Sequence, residues 1–203
     1  MYFRGGEGVY LTIEELLDRI DEPNRTRCKK ILEDCRFLFL MVQGSSHNHQ
    51  AWTGGYLDHV VETMNIAVAM FMMLNDIRVF PFTLSDALLV LFLHDVEKPW
   101  KYEIAEDESL RIKEELRSKD AQHRFRMRKL EEYGIILTED QQNGLEFVEG
   151  ELVGYSSTHR AMGPLAGFCH ACDVFSARVW FDHPMEKNDP WIGACRQGMN
   201  RKT

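Results

Sequence analysis

Four side chains able to hold a metal ion are spread over three apolar stretches of this chain. They are His59 in 56-YLDHVVETMN-65, His94 and Asp95 in 88-LLVLFLHDVEKPW-100, and Asp173 in 163-GPLAGFCHACDVFSARVW-180. Each is a polar group where packing alone favours an apolar one. An unpaired carboxylate in an apolar interior costs several kcal/mol or shifts its pKa until it neutralises. Two imidazoles and two carboxylates converging from three helices resolve that cost together. One divalent cation compensates both acids and gives each neutral imidazole a partner. The expected cofactor is therefore one divalent metal ion, with Mn, Fe, Co, Ni, Mg and Zn all open.

The elements that must position these groups are helical. Thr12 and Glu15 have capping-box spacing ahead of a helix over 11-LTIEELLDRIDE-22, which Pro23 ends. A second helix is predicted over about 24–42, with Ile31, Leu32, Cys35, Leu38 and Phe39 inward. The stretch 43-QGSSHNHQAWTGG-55 has loop composition. From Tyr56 to about Asn75 the chain is helical in composition and almost wholly apolar after Met64, which predicts a central helix. Pro81 and Thr83 or Ser85 start the helix that carries 88–100 and stops at Lys98-Pro99. Both 111-RIKEELRSKD-120 and 124-RFRMRKLEEY-133 read as solvated helices, and Thr138 precedes a helix over roughly 139–150. Pro164 sits at the first turn of a final long helix reaching Trp180. No alternating strand pattern of useful length and no internal repeat is visible. The expected fold is all-α, a single-domain helical bundle with its core over about residues 11–180 and an irregular C-terminal tail over 181–203.

Composition narrows the function class. A chain of 203 residues with 44% hydrophobic and 28% charged residues has globular character. A formal net charge of -8 argues against coating extended duplex nucleic acid through a broad basic face. The five cysteines are an odd number, Met1 to Tyr10 lacks the pattern of an export signal, and the apolar run Ile66–Leu74 is too short for a bilayer. These point to reduced thiols, a cytoplasmic setting and no membrane partner.

The order His59, His94-Asp95, Asp173 resembles the H…HD…D pattern of the HD-domain metal-dependent phosphohydrolase superfamily, over roughly residues 45–180. Around it, 94-HDVEK-98 resembles the family's HD-x-x-K and 173-DVFSAR-178 its Asp-containing helix. The segment 49-HQAWTGGYLDH-59 is similar to the H-H-x-x-x-G-G-x-x-x-H stretch of HD-type 3′–5′ exoribonucleases, with Gln50 in place of the second His. The resemblance implies an HD-type bundle that hydrolyses a phosphoester or phosphoanhydride of a small nucleotide or an oligonucleotide end. His59, His94, Asp95 and Asp173 are its implied ligands. Lys98 would meet the substrate phosphate, and Glu97 would be a base behind the ligands or a solvated residue. The alternatives are a 3′–5′ exonuclease or cyclic-nucleotide phosphodiesterase, and an HD module that binds a nucleotide without hydrolysis.

Other residues carry lesser expectations. His49 is either a pocket residue bonding the substrate or a structural loop residue. Arg124 and Arg128, at i and i+4, suit joint binding of a phosphate as well as a solvated helix face. Between the HD dipeptide and Asp173 the family's two-metal members carry further histidines, often a His-His pair. Here that interval holds His123, His159 and His170 and no such pair, so His123 and His159 are the candidates for a second metal. Asp173 has a competing reading as a buried acid paired with Arg178. In 169-CHAC-172 the spacing is that of zinc ligands, but within an apolar helix small buried thiols explain it better. An exposed 70-MFMML-74 would offer a homodimer surface.

Overall fold

The computed structural model describes residues 9–45, 47–104, 110–151, 156, 158, 160–185 and 189–198. It is mostly helical. Helices α1 (Ile13–Leu17), α2 (Asn24–Met41), α3 (Gly55–Asn75) and α4 (Leu84–Leu93) lead to the short α5 (Lys98–Lys101). Strands β1 (Tyr102–Ile104) and β2 (Leu110–Ile112) follow, then α6 (Lys119–Glu132), α7 (Glu139–Phe147) and α8 (Pro164–Val174). The expected all-α class holds for the bulk of these residues.

Local sequence explains most of the boundaries. Thr12, Thr83 and Thr138 each cap a helix, and Glu15, Asp86 and Gln141 bond back to complete the capping box. In α4 every residue from Ala87 to Leu93 is buried, which makes it an apolar post through the middle of the core. Helix α3 packs against α2, α4 and α8, while α7 packs against α4 and α8.

Several expectations need correction. The helix over 11–22 closes at Leu17, and Pro23 stands at the N-cap of α2. The helix carrying the HD dipeptide ends at Leu93, and residues 94–97 form turns. Pro99 therefore opens α5 instead of ending α4, because a first-turn proline loses no helical hydrogen bond. The charged segment at 111–120 is α-helical only at Lys119 and Asp120, which open α6. The segment's start is β2, paired antiparallel with β1 in the register Tyr102↔Ile112, and a 3-10 turn follows over Glu114–Leu116. Strands of three residues are too short to show an alternating pattern. The solvated reading of α6 fails at Gln122, Arg126 and Leu130, which are buried.

Helix α3 also reverses the expected division of labour. Its mixed half, Gly55 to Ala67, is buried throughout, while Met72 and Met73 in the apolar half are exposed. The buried polar groups there have partners, as when Asn65 Oδ1 accepts from Leu11 N at 2.7 Å and Asn65 Nδ2 donates to Leu11 O at 3.0 Å. Among the described residues α3 alone is long and apolar enough to cross a membrane, and 61% of that window is buried inside the bundle.

Candidate metal centre

His59 leaves the second turn of α3, His94 and Asp95 lie just beyond the end of α4, and Asp173 sits near the end of α8. The fold brings them together. Asp173 Oδ1 is 3.1 Å from His59 Nε2 and 3.8 Å from His94 Nε2. His59, His94 and Asp173 form a group able to hold a metal ion, with ligand atoms all within 4.8 Å of one another. Such atoms enclose a common point within about 2.8 Å of each, against metal bonds of about 2.0–2.2 Å, so small shifts complete coordination.

Tautomers sharpen the case. His94 Nδ1 lies 2.7 Å from Leu91 O, a pure acceptor, so Nδ1 carries a proton and donates it. That leaves His94 Nε2 as the lone pair, buried and without a hydrogen bond of good geometry, although Asp95 Oδ2 lies 3.2 Å away. Ser176 Oγ donates to Glu62 Oε2 at 2.7 Å and is 3.0 Å from His59 Nδ1. With its proton spent on Glu62, Ser176 accepts from His59 Nδ1, and His59 Nε2 is also a lone pair. Two lone pairs and a carboxylate thus face one place.

Charge tells the same story. Burial pushes the His59 imidazole down, partly offset by Asp173. For His94 burial also works downward, but the Asp95 and Asp173 carboxylates outweigh it and hold the ring up at about 9. A proton on His94 is one answer to the facing acids. A divalent cation is the other, and its binding displaces that proton.

Asp95 stands at the edge of the group. Its Oδ2 touches Lys98 Nζ at 2.5 Å, and Lys98 also donates to Gly44 O at 2.8 Å. Burial raises the Asp95 carboxyl, yet Lys98 and His94 hold it well below the usual carboxylate range.

A pocket of about 230 Å³ opens above these groups. His49, as expected, lies on its wall, along with Lys98 and Arg178 at the helix ends. His49 Nδ1 bonds Gln50 Oε1 at 2.8 Å, and burial chiefly lowers the ring to about 4, so it is neutral at pH 7. Arg178 is exposed at the rim and does not pair with Asp173. Sequence reasoning did not assign His170 and Glu149 to this wall. His170, whose Nδ1 donates to Val148 O at 2.7 Å, is three residues before Asp173 on α8, and that helical spacing was the available signal.

Other expected site residues fall elsewhere. Glu97 is buried and turned away from the pocket, 3.0 Å from Arg126 Nε. His123, Arg124 and Arg128 line a separate groove of about 670 Å³ along α6. His159 lies outside the described residues. Cys169 and Cys172 are buried, their thiols raised mainly by burial, as suits packing and not ligation.

Two features hold the centre in shape. Asp173 is followed by a π-helical turn, Phe175–Val179, which carries Ser176 toward His59. Single π turns recur at functional sites. The other is a chain crossing. Gln50, at φ 37, donates its backbone N–H to Phe181 O at 2.7 Å, and its side-chain amide donates to Glu62 Oε2 and His183 O. The described part of 182–198 is irregular as expected, but it is docked. Gln197 N donates to Asp58 Oδ1 at 2.7 Å, and Arg196 covers Trp52 at 4.2 Å.

Gly55 allows the loop bearing His49 to close on α3. A Cβ there would sit 1.8 Å from Gln50 O, so Gly55→Ala must move backbone. A loss of about 3 kcal/mol in urea unfolding is expected, at the upper end for overpacked sites. Glu62 predicts a pH effect. Burial, opposed by Ser176 and aided by Asp189 and Asp58, raises its carboxyl from the usual 4.5 to about 8. Between these values the folded chain keeps a proton that the unfolded chain has lost. Its contribution to stability is full below 4.5 and is lost as pH rises through about 8. In chelator-treated protein the urea midpoint should fall over that range, and Glu62→Gln should flatten the fall.

The chain matches no protein-family model, no curated protein and no solved structure.

Proposed function

We propose that this chain is a metal-dependent phosphohydrolase of the HD-domain type, acting on a phosphoester or phosphoanhydride of a nucleotide-type substrate. The observation that carries the reading is the meeting of His59 Nε2, His94 Nε2 and the Asp173 carboxylate, acceptor atoms in one buried place. Asp95, beside His94, is the fourth ligand in this reading. A divalent cation held there supplies Lewis acidity toward a phosphoryl oxygen and acidifies a bound water.

The chain's own groups account for the remainder. Helices α4 and α8 fix the ligands in a packed core, which keeps the site from reorganising during reaction. Lys98 and Arg178 bring two cations to a wall that also carries Asp95, Glu149 and Asp173, and they can meet a phosphate and offset its growing charge. His49 and His170 present rings to the pocket wall that can accept a hydrogen bond from a sugar hydroxyl. A volume of about 230 Å³ is below the roughly 300–1,000 Å³ of sites that enclose a drug-sized ligand. It suits a phosphate and its sugar, with the base outside.

The test is metal analysis coupled to a phosphate-release screen over nucleotides, cyclic nucleotides and short oligonucleotides with Mn²⁺, Mg²⁺, Co²⁺ and Ni²⁺. One equivalent of metal and metal-dependent release that His94→Ala removes are expected. Failure to retain any of these ions would overturn the reading, and stoichiometric metal with nucleotide binding but no release would turn it to the non-catalytic module.

A further inference from the structure

We propose that a second cavity, on the far side of Ser176 from the metal centre, is a binding site for a small alkylammonium cation. The cavity is about 90 Å³ and shares no lining residue with the pocket above the metal centre. Its walls are the rings of Tyr10, Trp180 and Trp191 together with Glu62, Asp189 and His183. Trp191 stands edge-on to both other rings, with centroids 5.3 Å from Tyr10 at 85° and 5.9 Å from Trp180 at 75°. These are panels of a box, not a stack.

Its polar groups are those of a cation site. Glu62 is 2% exposed, and its Oε2 accepts from Ser176 and Gln50, while Oε1 has no partner among the described residues. The Tyr10 hydroxyl is buried and has no hydrogen-bond partner among the described residues. Asp189 adds a second acid to the wall, accepting from Trp191 N at 2.8 Å. His183 is the basic side chain on this wall, and its ring lies 2.9 Å from Asp182 Oδ1. The buried Glu62 carboxyl is thus left with a hydroxyl, a second acid and three aromatic rings, and no cation among the described residues pairs with it.

Ligand chemistry follows from this wall. Anions are excluded by the two acids. Hard divalent ions want six or more oxygen ligands, and the wall offers few beside its rings. Aromatic faces attract an ammonium and pack against its methyl groups, and a carboxylate supplies the counter-charge. Burial keeps Glu62 protonated up to about 8, and an entering ammonium supplies the partner beside which it ionises. The site does not depend on the hydrolase reading.

The experiment is a titration of the full chain with tetramethylammonium chloride, followed by tryptophan fluorescence, since Trp180 and Trp191 line the cavity. Sodium chloride matches ionic strength, neopentyl alcohol matches shape without charge, and potassium chloride tests an inorganic cation. A saturable change with tetramethylammonium alone is expected, weakened roughly tenfold or more in Glu62→Gln. Asp189→Asn, at the half-buried rim, should weaken it several-fold and guards against a fold defect in the first variant. No saturable change, an equal response to the alcohol, tighter response to potassium, or unchanged binding in both variants would each overturn the proposal.

Discussion

Asp173→Ala is expected to reduce metal retained after loading and desalting from about one equivalent to below about a tenth. Loss of a partner that merely orients a ligand already costs about 10–100-fold in metal affinity, and Asp173 is a ligand in this reading. Its carboxylate is the group 3.1 Å from His59 Nε2, and nothing else in the pocket replaces it there. Thermal unfolding gives a second readout. A metal at 100 times its dissociation constant stabilises the wild type by about 2.7 kcal/mol, and the variant should show no such gain. In chelator the two should unfold within about 1 kcal/mol of each other, because Asp173 is partly open to the pocket and its loss can be filled by water. Full metal content in Asp173→Ala would remove the centre from these residues.

The second large effect lies outside the pocket. Arg126→Met is expected to destabilise the fold by about 3–5 kcal/mol, since it strands the Glu97 charge in a buried place. The side chains of Arg126 and Glu97 are 9% and 3% exposed and 3.0 Å apart. Burial raises the Glu97 carboxyl, and Arg126 is the main group opposing that rise. Without Arg126 the carboxyl should take up a proton, so the deficit shrinks as pH falls. Adding Glu97→Leu to Arg126→Met should recover most of the loss, because an apolar pair of similar volume has no charge to strand. Urea unfolding of the two singles and the double gives the coupling directly. A loss below about 1 kcal/mol in the single variant would mean that Glu97 finds another partner.

What could be read in advance depended on how local the signal was. Thr12, Thr83 and Thr138 announce their helices because a cap and its partner are three residues apart. The metal-ligand group was legible because polar residues interrupt apolar runs. Arg126 was hidden. Its burial follows the spacing Gln122, Arg126, Leu130, but a stripe with two polar members does not stand out from the exposed Arg124 and Arg128. His170 was accessible through its spacing of three residues from Asp173, a signal that His123 and His159 lack. Glu62 and Ser176 could not be paired from sequence, because 114 positions separate them and neither residue type signals the other. The hairpin after α5 was missed for a different reason, since three-residue strands leave no period to detect.

The π turn that presents Ser176 to His59 has a consequence for the order in which the molecule is made. His59 emerges 117 positions ahead of Ser176. At roughly 5–20 residues per second, the growing chain carries α3 for about 6–23 s before the residues that orient its histidine exist. Through that interval Asp58, His59 and Glu62 are solvated, and the apolar neighbours they will share a core with have no α8 to close over them. Any ion that these residues hold must therefore wait for α8, since Asp173 belongs to that helix and Ser176 follows it.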